Sequence, residues 1–255
     1  MQTVLFHETV FGPIHSRRLG SSLGVNLSPR DGKVCSFDCL YCEAGFNAQG
    51  TGTTGLPSRQ EVASLLRARL ESMRAAGEPL DVITFSGNGE PTLHPEFEEI
   101  VGDVIALRDE FYPDVKISVL TNSTRLDSEA VCRALERVDN NILKLDSAVE
   151  ETMRRLDRPT SKSFTVARVV EQLKRFASTG VIQTMIVRGD GVDNTTDAEI
   201  SALIEAYRAI RPRSIMIYSI DRKTPDELLR KVGRDELEAI AARIASAVQL
   251  PVSVS

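Results

Sequence analysis

Residues 33–42 read Lys33-Val34-Cys35-Ser36-Phe37-Asp38-Cys39-Leu40-Tyr41-Cys42. Three of the four cysteines of the chain fall in this stretch with C-x3-C-x2-C spacing, shortly after an apolar segment at residues 23–27. In a reducing compartment, cysteines this close together bind metal or carry out redox chemistry more often than they form disulfides. The spacing therefore predicts a metal or redox loop that follows the first strand of the core.

The three thiolates favour an iron–sulfur cluster over zinc. Cysteine thiolates hold [4Fe–4S] clusters, and three of them leave one iron free to be chelated by the amino and carboxylate groups of a small molecule. Structural zinc needs four ligands, usually from paired C-x2-C knuckles, and only half of such a pair is present. Cys132, His7, His15 or His94 would have to complete a zinc site. A non-catalytic zinc- or cluster-binding module is therefore the alternative hypothesis.

Outward from this loop, short apolar segments alternate with amphipathic ones. The apolar segments are rich in Val, Ile and Leu and are bounded by Gly, Asn, Asp or Pro, as buried parallel strands are. The predicted strands are residues 23–27, 82–85, 116–120, 142–145, 182–187 and 214–218. The alternation predicts an α/β protein with a parallel sheet and right-handed crossovers. Because periodicity alone does not separate an open sheet from a barrel, it predicts only that the chemistry lies at the carboxyl ends of the strands.

The segments between the strands carry helix start signals. Ser58 with Glu61, and Thr196 with Glu199, form capping boxes ahead of apolar stripes. Further helices are expected from residue 95, over 127–138 and over 164–176. Thr224-Pro225 predicts the start of a sixth helix that ends before Gly233. A last helix over 235–248 leads to a short apolar tail at 251–254.

The cysteine spacing, with an aromatic residue (Tyr41) before the last cysteine, resembles the signature of the radical S-adenosylmethionine (SAM) superfamily. Residues 11–20, Phe-Gly-Pro-Ile-His-Ser-Arg-Arg-Leu-Gly, and 22–26, Ser-Leu-Gly-Val-Asn, are similar to the group related to wybutosine-synthesis radical SAM enzymes. The resemblance implies a single-domain partial (β/α)6 TIM-like barrel of parallel strands with outer helices over residues 1–255. Its expected parts are an N-terminal extension (1–22), a barrel core (23–222), and C-terminal helices with a short tail strand (223–255).

The resemblance also implies site residues. Cys35, Cys39 and Cys42 would bind the cluster, and Tyr41 would lie beside SAM. Residues 86–90 resemble the Gly-Gly-Glu motif of the superfamily, with Asn88 where the first glycine often stands, and Glu90 would hold the methionyl amino group. The other residues implied to bind SAM are Ser86, Gly87, Asn88, Gly89, Asn122, Asp146, Arg188 and Tyr218.

Lys144 departs from the usual Ser-Leu-Asp of the superfamily. Lys144 and Asp146 share one side of their strand because side chains alternate between its faces. Two charged groups inside a barrel are costly unless they are paired or bound to a ligand. Lys144 is therefore a catalytic candidate together with Asp146, and it would pair with Asp146, bind a substrate carboxylate or form an imine with a carbonyl. Arg188, Arg222 and the Arg17-Arg18 pair are candidates for binding substrate anions.

The activity implied by the resemblance is reductive cleavage of SAM at a [4Fe–4S] cluster. The resulting 5′-deoxyadenosyl radical would abstract a hydrogen atom from a small molecule, a tRNA base or a peptide; a glycyl-radical-enzyme activase is an alternative. A flavodoxin- or ferredoxin-type protein would supply the electron.

The composition narrows the partners of the chain. The net charge of −5 over 255 residues disfavours a nucleic-acid partner without excluding tRNA. No apolar run approaches the ~18 residues of a membrane span, and the first residues do not resemble a signal peptide. We therefore expect a cytoplasmic protein with no membrane partner.

Overall fold

The computed structural model describes residues 4–16 and 19–255. Its strands are β1 (Val10–Ser16), β2 (Gly20–Val25), β3 (Val82–Phe85), β4 (Lys116–Thr121), β5 (Asn140–Lys144), β6 (Val181–Met185), β7 (Val187–Gly189), β8 (Val192–Asp193), β9 (Ser214–Tyr218), β10 (Arg230–Lys231) and β11 (Val252–Val254). Its α-helices are α1 (Arg59–Ala76), α2 (Phe97–Phe111), α3 (Glu129–Glu136), α4 (Glu150–Asp157), α5 (Val166–Leu173), α6 (Asp197–Ile210) and α7 (Arg234–Val248).

Eight strands form the main sheet in the order β1-β2-β3-β4-β5-β6-β9-β11. Strand β1 is antiparallel to β2, and every other neighbouring pair is parallel. The order runs from β1 to β11, and no pairing among the described residues joins these two edges. The six central strands alternate with helices, so the expected α/β partial barrel with outer helices is confirmed.

The main sheet curls around an internal cavity. All six central strands contribute lining residues to it: Gly24, Thr84, Leu120, Ile142, Gln183 and Met216. The helices pack on the opposite, convex side through the apolar stripes that the sequence predicts. On α1, for example, Val62, Leu66, Leu70 and Met73 are all buried. None of the helices in the described parts of the chain combines the length and apolar character of a membrane-spanning segment.

The N-terminal boundary differs from the expected one. Strand β2 begins at Gly20, three residues before the predicted start, and the expected extension contains β1, which pairs with β2 as a hairpin. Position 24 explains part of this arrangement, because a Cβ atom there would lie 2.1 Å from the Phe11 ring. The hairpin therefore packs its aromatic side chain directly against the β2 backbone.

The expected sixth helix, starting at Thr224, is wrong. Residues 224–229 form turns, and β10 then pairs with β7, which also pairs with β8. The Asp226 carboxylate accepts a hydrogen bond from Leu228 N, and the Thr224 hydroxyl donates to Asp226 O. Such local side-chain bonds compete with helix formation. Only one helix, α7, follows residue 223, and Gly233 precedes it as the N-cap residue.

Helix α4 was not predicted from the sequence. Its eight residues include only two buried apolar side chains, Met153 and Leu156, so its apolar stripe is too short to be recognised. This helix is nevertheless important for the site, because its last turn contacts the cysteine loop.

Candidate active site

The cysteine loop is bonded on one side to the glycine-rich loop that follows β3. Val34 N donates to Asn88 O at 3.3 Å, and Glu90 N donates to Val34 O at 2.9 Å, so that Val34 and Gly89 form a bridge. A Cβ atom at position 89 would lie 1.9 Å from the Val34 carbonyl oxygen, so only glycine permits this approach. The two loops therefore lie side by side at the carboxyl ends of β2 and β3.

The other side of the cysteine loop is bonded to the carboxyl end of α4. Asp38 N donates to Asp157 O and Leu40 N donates to Leu156 O, both at 3.0 Å. These bonds satisfy helix carbonyls that have no partner within the helix. The backbone of the loop is thus held at both sides without using any cysteine side chain.

The thiols of the loop are largely buried and influence one another electrostatically. Burial, and then the charge of Glu90, raise the pKa of Cys35 to about 12. Burial, followed by the charge of Asp157, raises the pKa of Cys39 well above its ordinary value, and Cys42 and Cys35 add to the shift. Metal binding would have to displace the protons from these thiols, so cluster assembly releases protons.

The three thiols of the cysteine loop are free to act as ligands. Within residues 4–16 and 19–255, no three Cys, His, Asp or Glu side chains gather around a point where one metal ion would sit. A [4Fe–4S] cluster does not require such convergence, because each thiolate binds a different iron. Cys35, Cys39 and Cys42 are free and share one anchored loop, and they therefore fit this cluster.

Two candidates for a fourth zinc ligand have other bonding partners. The Cys132 thiol donates to Leu126 O at 3.4 Å on the buried side of α3. Both ring nitrogens of His94 are hydrogen-bonded, Nε2 to Pro57 O and Nδ1 to Glu96 N. These contacts count against the zinc module.

Glu90 and Asn122 connect the carboxyl ends of β3 and β4 at the rim of the barrel. The Glu90 carboxylate accepts hydrogen bonds from Asn122 N at 2.7 Å and from the hydroxyls of Thr121 and Thr92. Burial raises the pKa of Glu90, and these hydrogen bonds oppose the shift. Asn122 Nδ2 in turn donates to Ser36 Oγ at 2.9 Å and approaches Cys35 Sγ at 3.6 Å. The expected Glu90 and Asn122 therefore lie beside the cysteine loop.

Asn88 has a different environment from the one expected of a cofactor ligand. Its side chain is fully buried; it accepts from Phe6 N and donates to Phe6 O, both at 2.8 Å, and donates to Pro29 O. Both polar atoms of the Asn88 side chain are thus hydrogen-bonded within the protein. These bonds join the N-terminal segment to the glycine-rich loop.

Tyr41, Lys144 and Asp146 form a buried ionic network beneath the cysteine loop. Lys144 Nζ donates to Tyr41 Oη at 2.5 Å and to Asp146 Oδ2 at 3.2 Å, while Tyr41 Oη donates to Asp146. Burial lowers the pKa of Lys144, but the charges of Asp146 and nearby groups outweigh it and hold this pKa well above its ordinary value. Asp146 Oδ1 also accepts from Met185 N at 2.8 Å. Of the three roles considered for Lys144, the pairing with Asp146 is confirmed.

Arg188 does not lie with the other predicted residues. Its guanidinium donates to Glu236 at 2.5 Å and to Thr195 at 2.7 Å, on the small sheet formed by β7, β8 and β10. The strand predicted over 182–187 breaks after Met185, and this break directs Arg188 toward α7. Arg222 lines the cavity but pairs with Glu43 at 2.6 Å.

The internal cavity has a volume of about 420 Å³ and opens at the catalytic rim. Several of the predicted residues line it: Tyr41, Cys42, Ser86, Gly87 and Tyr218. Phe6 and Phe11, whose rings stack at 3.9 Å, close it beside β2. The predicted SAM-binding loops and the barrel interior therefore belong to one continuous site.

Two site residues were not identified from the sequence. Asp157 is 1% exposed at the end of α4, and its carboxylate accepts from Cys39 Sγ at 3.7 Å. Gln183 lines the cavity from the middle of β6. The sequence could have indicated Gln183, since a glutamine within the apolar run of residues 181–187 is unusual for a buried strand.

Comparison with known proteins places this architecture in a known family. A UPF0026 protein of Helicobacter pylori is 31% identical over 231 residues, which cover 89% of this chain and 71% of the relative. A radical SAM methyltransferase structure from Sphaerobacter thermophilus has a TM-score of 0.68 at 18% identity, covering 92% of this chain and 65% of the other. This chain therefore spans less than two thirds of that structure.

A structure of TYW1 with a lysine–pyruvate adduct bound has a TM-score of 0.60 at 16% identity, over 90% of this chain and 75% of the other. At these identities the two structures support the fold alone. Residues 31–207 match the sequence profile of the Radical SAM superfamily. This range includes the cysteine loop and the strands from β3 to β6. Because this match covers more than half of the 255 residues, the chain belongs to the radical SAM superfamily.

Proposed function

We propose that the chain is an enzyme that cleaves SAM reductively at a [4Fe–4S] cluster held by Cys35, Cys39 and Cys42. The observation that carries this proposal is the Val34–Gly89 bridge, which joins the cysteine loop to the glycine-rich loop at the mouth of the cavity. Radical SAM proteins use this cluster together with SAM. The chemistry that the two supply when bound is one-electron cleavage to methionine and a 5′-deoxyadenosyl radical, which takes a hydrogen atom from the substrate.

Residues of this chain would bind and orient SAM. Three thiolates leave one iron corner for the amino and carboxylate groups of SAM. Glu90 would accept from the amino group, and Ser86 and Gly87, which line the cavity, would contact the rest of SAM. Asn122 would donate to the cluster thiolate of Cys35, since it already approaches that sulfur.

Lys144 would act as a fixed cation and not as a nucleophile. An imine-forming lysine must be neutral, and this requires a lowered pKa. The pKa of Lys144 is raised by Asp146 and other nearby charges. Lys144 would therefore hold Tyr41 and Asp146 in place beneath the cysteine loop.

The substrate would be a small molecule, because it would share with SAM a cavity of only about 420 Å³. A flavodoxin- or ferredoxin-type protein would supply the electron. Four free cysteines and an iron–sulfur cluster suit the reducing cytoplasm, which is where the protein would act.

Anaerobic reconstitution with iron and sulfide tests this function. We expect about four irons per chain and reductant-dependent cleavage of SAM to methionine. Cys39→Ala should lose cluster iron and abolish cleavage, whereas Cys132→Ala, which changes the one cysteine outside the loop, should retain both. Retained cleavage in Cys39→Ala, or stoichiometric zinc binding with SAM left intact, would overturn the proposal.

A further inference from the structure

We infer that the barrel interior is a substrate chamber in which the side-chain amide of Gln183 recognises a small uncharged molecule with an adjacent N–H and C=O, as in a carboxamide or lactam. The inference deepens the proposed function and rests on it for the chemistry that follows binding. The chamber itself is defined by the side chains described below.

Gln183 is a buried polar side chain that points into the cavity. It is 6% exposed, it lines the cavity, and its amide has no hydrogen-bond partner among residues 4–16 and 19–255. Its Cα pairs with Lys144 on one side and with Met216 on the other, so it lies in the same layer as the ionic network near the rim. A polar side chain that faces a cavity and bonds no other part of the described protein is available to hydrogen-bond a ligand there.

The lining around Gln183 is mixed, with apolar side chains beside polar ones such as Ser22, Thr84 and Tyr41. Leu120, Ile142 and Met216 line the cavity from the strands, and Phe11 and Ile14 line it from the hairpin. In a pocket of this kind the apolar side chains bury the ligand and a few polar groups orient it, and the amide of Gln183 is placed to do so.

Within residues 4–16 and 19–255, the charged residues that line the cavity are engaged elsewhere or exposed; Arg17 and Arg18 lie outside the described residues. Arg222 pairs with Glu43 at 2.6 Å, and Asp221 pairs with Lys231 at 3.0 Å; all four side chains are more than 40% exposed. His15 is also exposed. These groups lie toward solvent, so they do not provide a buried counter-charge for an ionic ligand.

The N-terminal segment lines one side of the chamber. Val4 N donates to Glu43 O at 2.9 Å, and Phe6 N donates to the side chain of Asn88 at 2.8 Å. The segment therefore spans the cysteine loop and the glycine-rich loop, and its Phe6 ring lies on Phe11.

The chemistry of the amide selects the ligand class. A glutamine offers one carbonyl acceptor and one NH2 donor side by side, and its partner must present the opposite pair. A carboxylate would place an acceptor against the carbonyl oxygen, and a ketone would leave that oxygen without a donor. The adenine edge of SAM also carries a donor next to an acceptor, so the test includes SAM.

The binding test compares amide probes with ketones of similar shape. Reconstituted full-length protein is titrated anaerobically by calorimetry, with and without SAM, using 2-piperidone and benzamide against cyclohexanone and acetophenone. We expect at least one amide to bind tenfold or more tightly than its ketone analogue. Gln183→Leu should abolish this preference, and Gln60→Leu, an exposed change on α1, should retain it.

Three outcomes of the binding test would overturn the inference. The first is equal binding of amides and ketones by the unaltered protein, and the second is an amide preference that survives in Gln183→Leu. The third is a tenfold loss of SAM affinity in Gln183→Leu, which would assign Gln183 to the adenine. Because probe binding is also measured without SAM, failure of SAM cleavage in the unaltered protein would count against the proposed function and not against the chamber.

The thermal stability of the variant provides a further readout. If the Gln183 amide serves a ligand, its replacement by leucine breaks no hydrogen bond among the described residues, and the melting temperature should stay equal or rise. A fall of several degrees would show a structural role for Gln183 and overturn the inference.

Discussion

At the residue scale, the ionic contact between Lys144 and Asp146 dominates the interior of the site. The Asp146 side chain is fully buried and that of Lys144 is 15% exposed, and their charged atoms lie 3.2 Å apart. Lys144→Met would leave a buried carboxylate without a counter-charge. We expect it to lower the free energy of unfolding by about 3 to 5 kcal/mol, measured by urea denaturation of the metal-free chain.

The double variant Lys144→Met/Asp146→Asn is the matched control for this prediction. It removes both charges and keeps an oxygen that accepts from Met185 N. It should therefore be more stable than the single variant, because replacing a whole buried pair costs less than removing one partner. A single variant as stable as the unaltered protein would show that Lys144 does not stabilise the buried carboxylate.

At the element scale, the N-terminal segment depends on Asn88. The Asn88 side chain bonds both the N–H and the C=O of Phe6. Asn88→Gly, which introduces the residue common in the superfamily, should release this segment from the glycine-rich loop. Loss of a buried hydrogen bond costs about 1 kcal/mol or more, so hydrogen exchange at the Phe6 amide should accelerate severalfold or more.

Asn141→Ala is the control for the released segment. The Asn141 side chain is also buried and donates to Leu135 O, away from the N-terminal segment. This variant should lower overall stability without selectively accelerating exchange at Phe6. Unchanged exchange at Phe6 in Asn88→Gly would contradict the role assigned to Asn88.

At the scale of the whole molecule, packing of the outer helices on the sheet provides the stability. Ion pairs also link successive helices, as between Arg133 of α3 and Glu98 of α2 at 2.8 Å, but they are exposed to solvent. Leu135 of α3 is fully buried. Leu135→Ala should lower the free energy of unfolding by about 2 to 5 kcal/mol, and Arg133→Ala should change it far less.

Urea denaturation at low and at 1 M NaCl checks this assignment. Salt screens exposed pairs and has little effect on apolar packing. The difference between the unaltered protein and Arg133→Ala should shrink at high salt, while that for Leu135→Ala persists. A large destabilisation by Arg133→Ala would indicate that helix–helix ion pairs contribute much more than expected.

The sequence by itself determined the features that depend on neighbouring residues. Short windows of residues were enough to recognise the spacing of Cys35, Cys39 and Cys42 and the alternation of strands and helices. They were also enough to indicate the superfamily, which the profile match confirms. The predictions that failed also concerned local features. A turn at Asp226 stands where a helix was predicted, and α4 has too few apolar residues to be recognised.

The tertiary structure alone decided which side chains meet. Tyr41 contacts Asp146 from 105 positions away, Cys39 contacts Asp157 from 118 away, and Asn88 contacts Phe6 from 82 away. The tertiary structure also places Arg188 against Glu236. It places Gln183 in the wall of the cavity. The physical reason is that local propensities define each strand, whereas the pairing of distant strands sets which ends lie together and which side chains share the space between them.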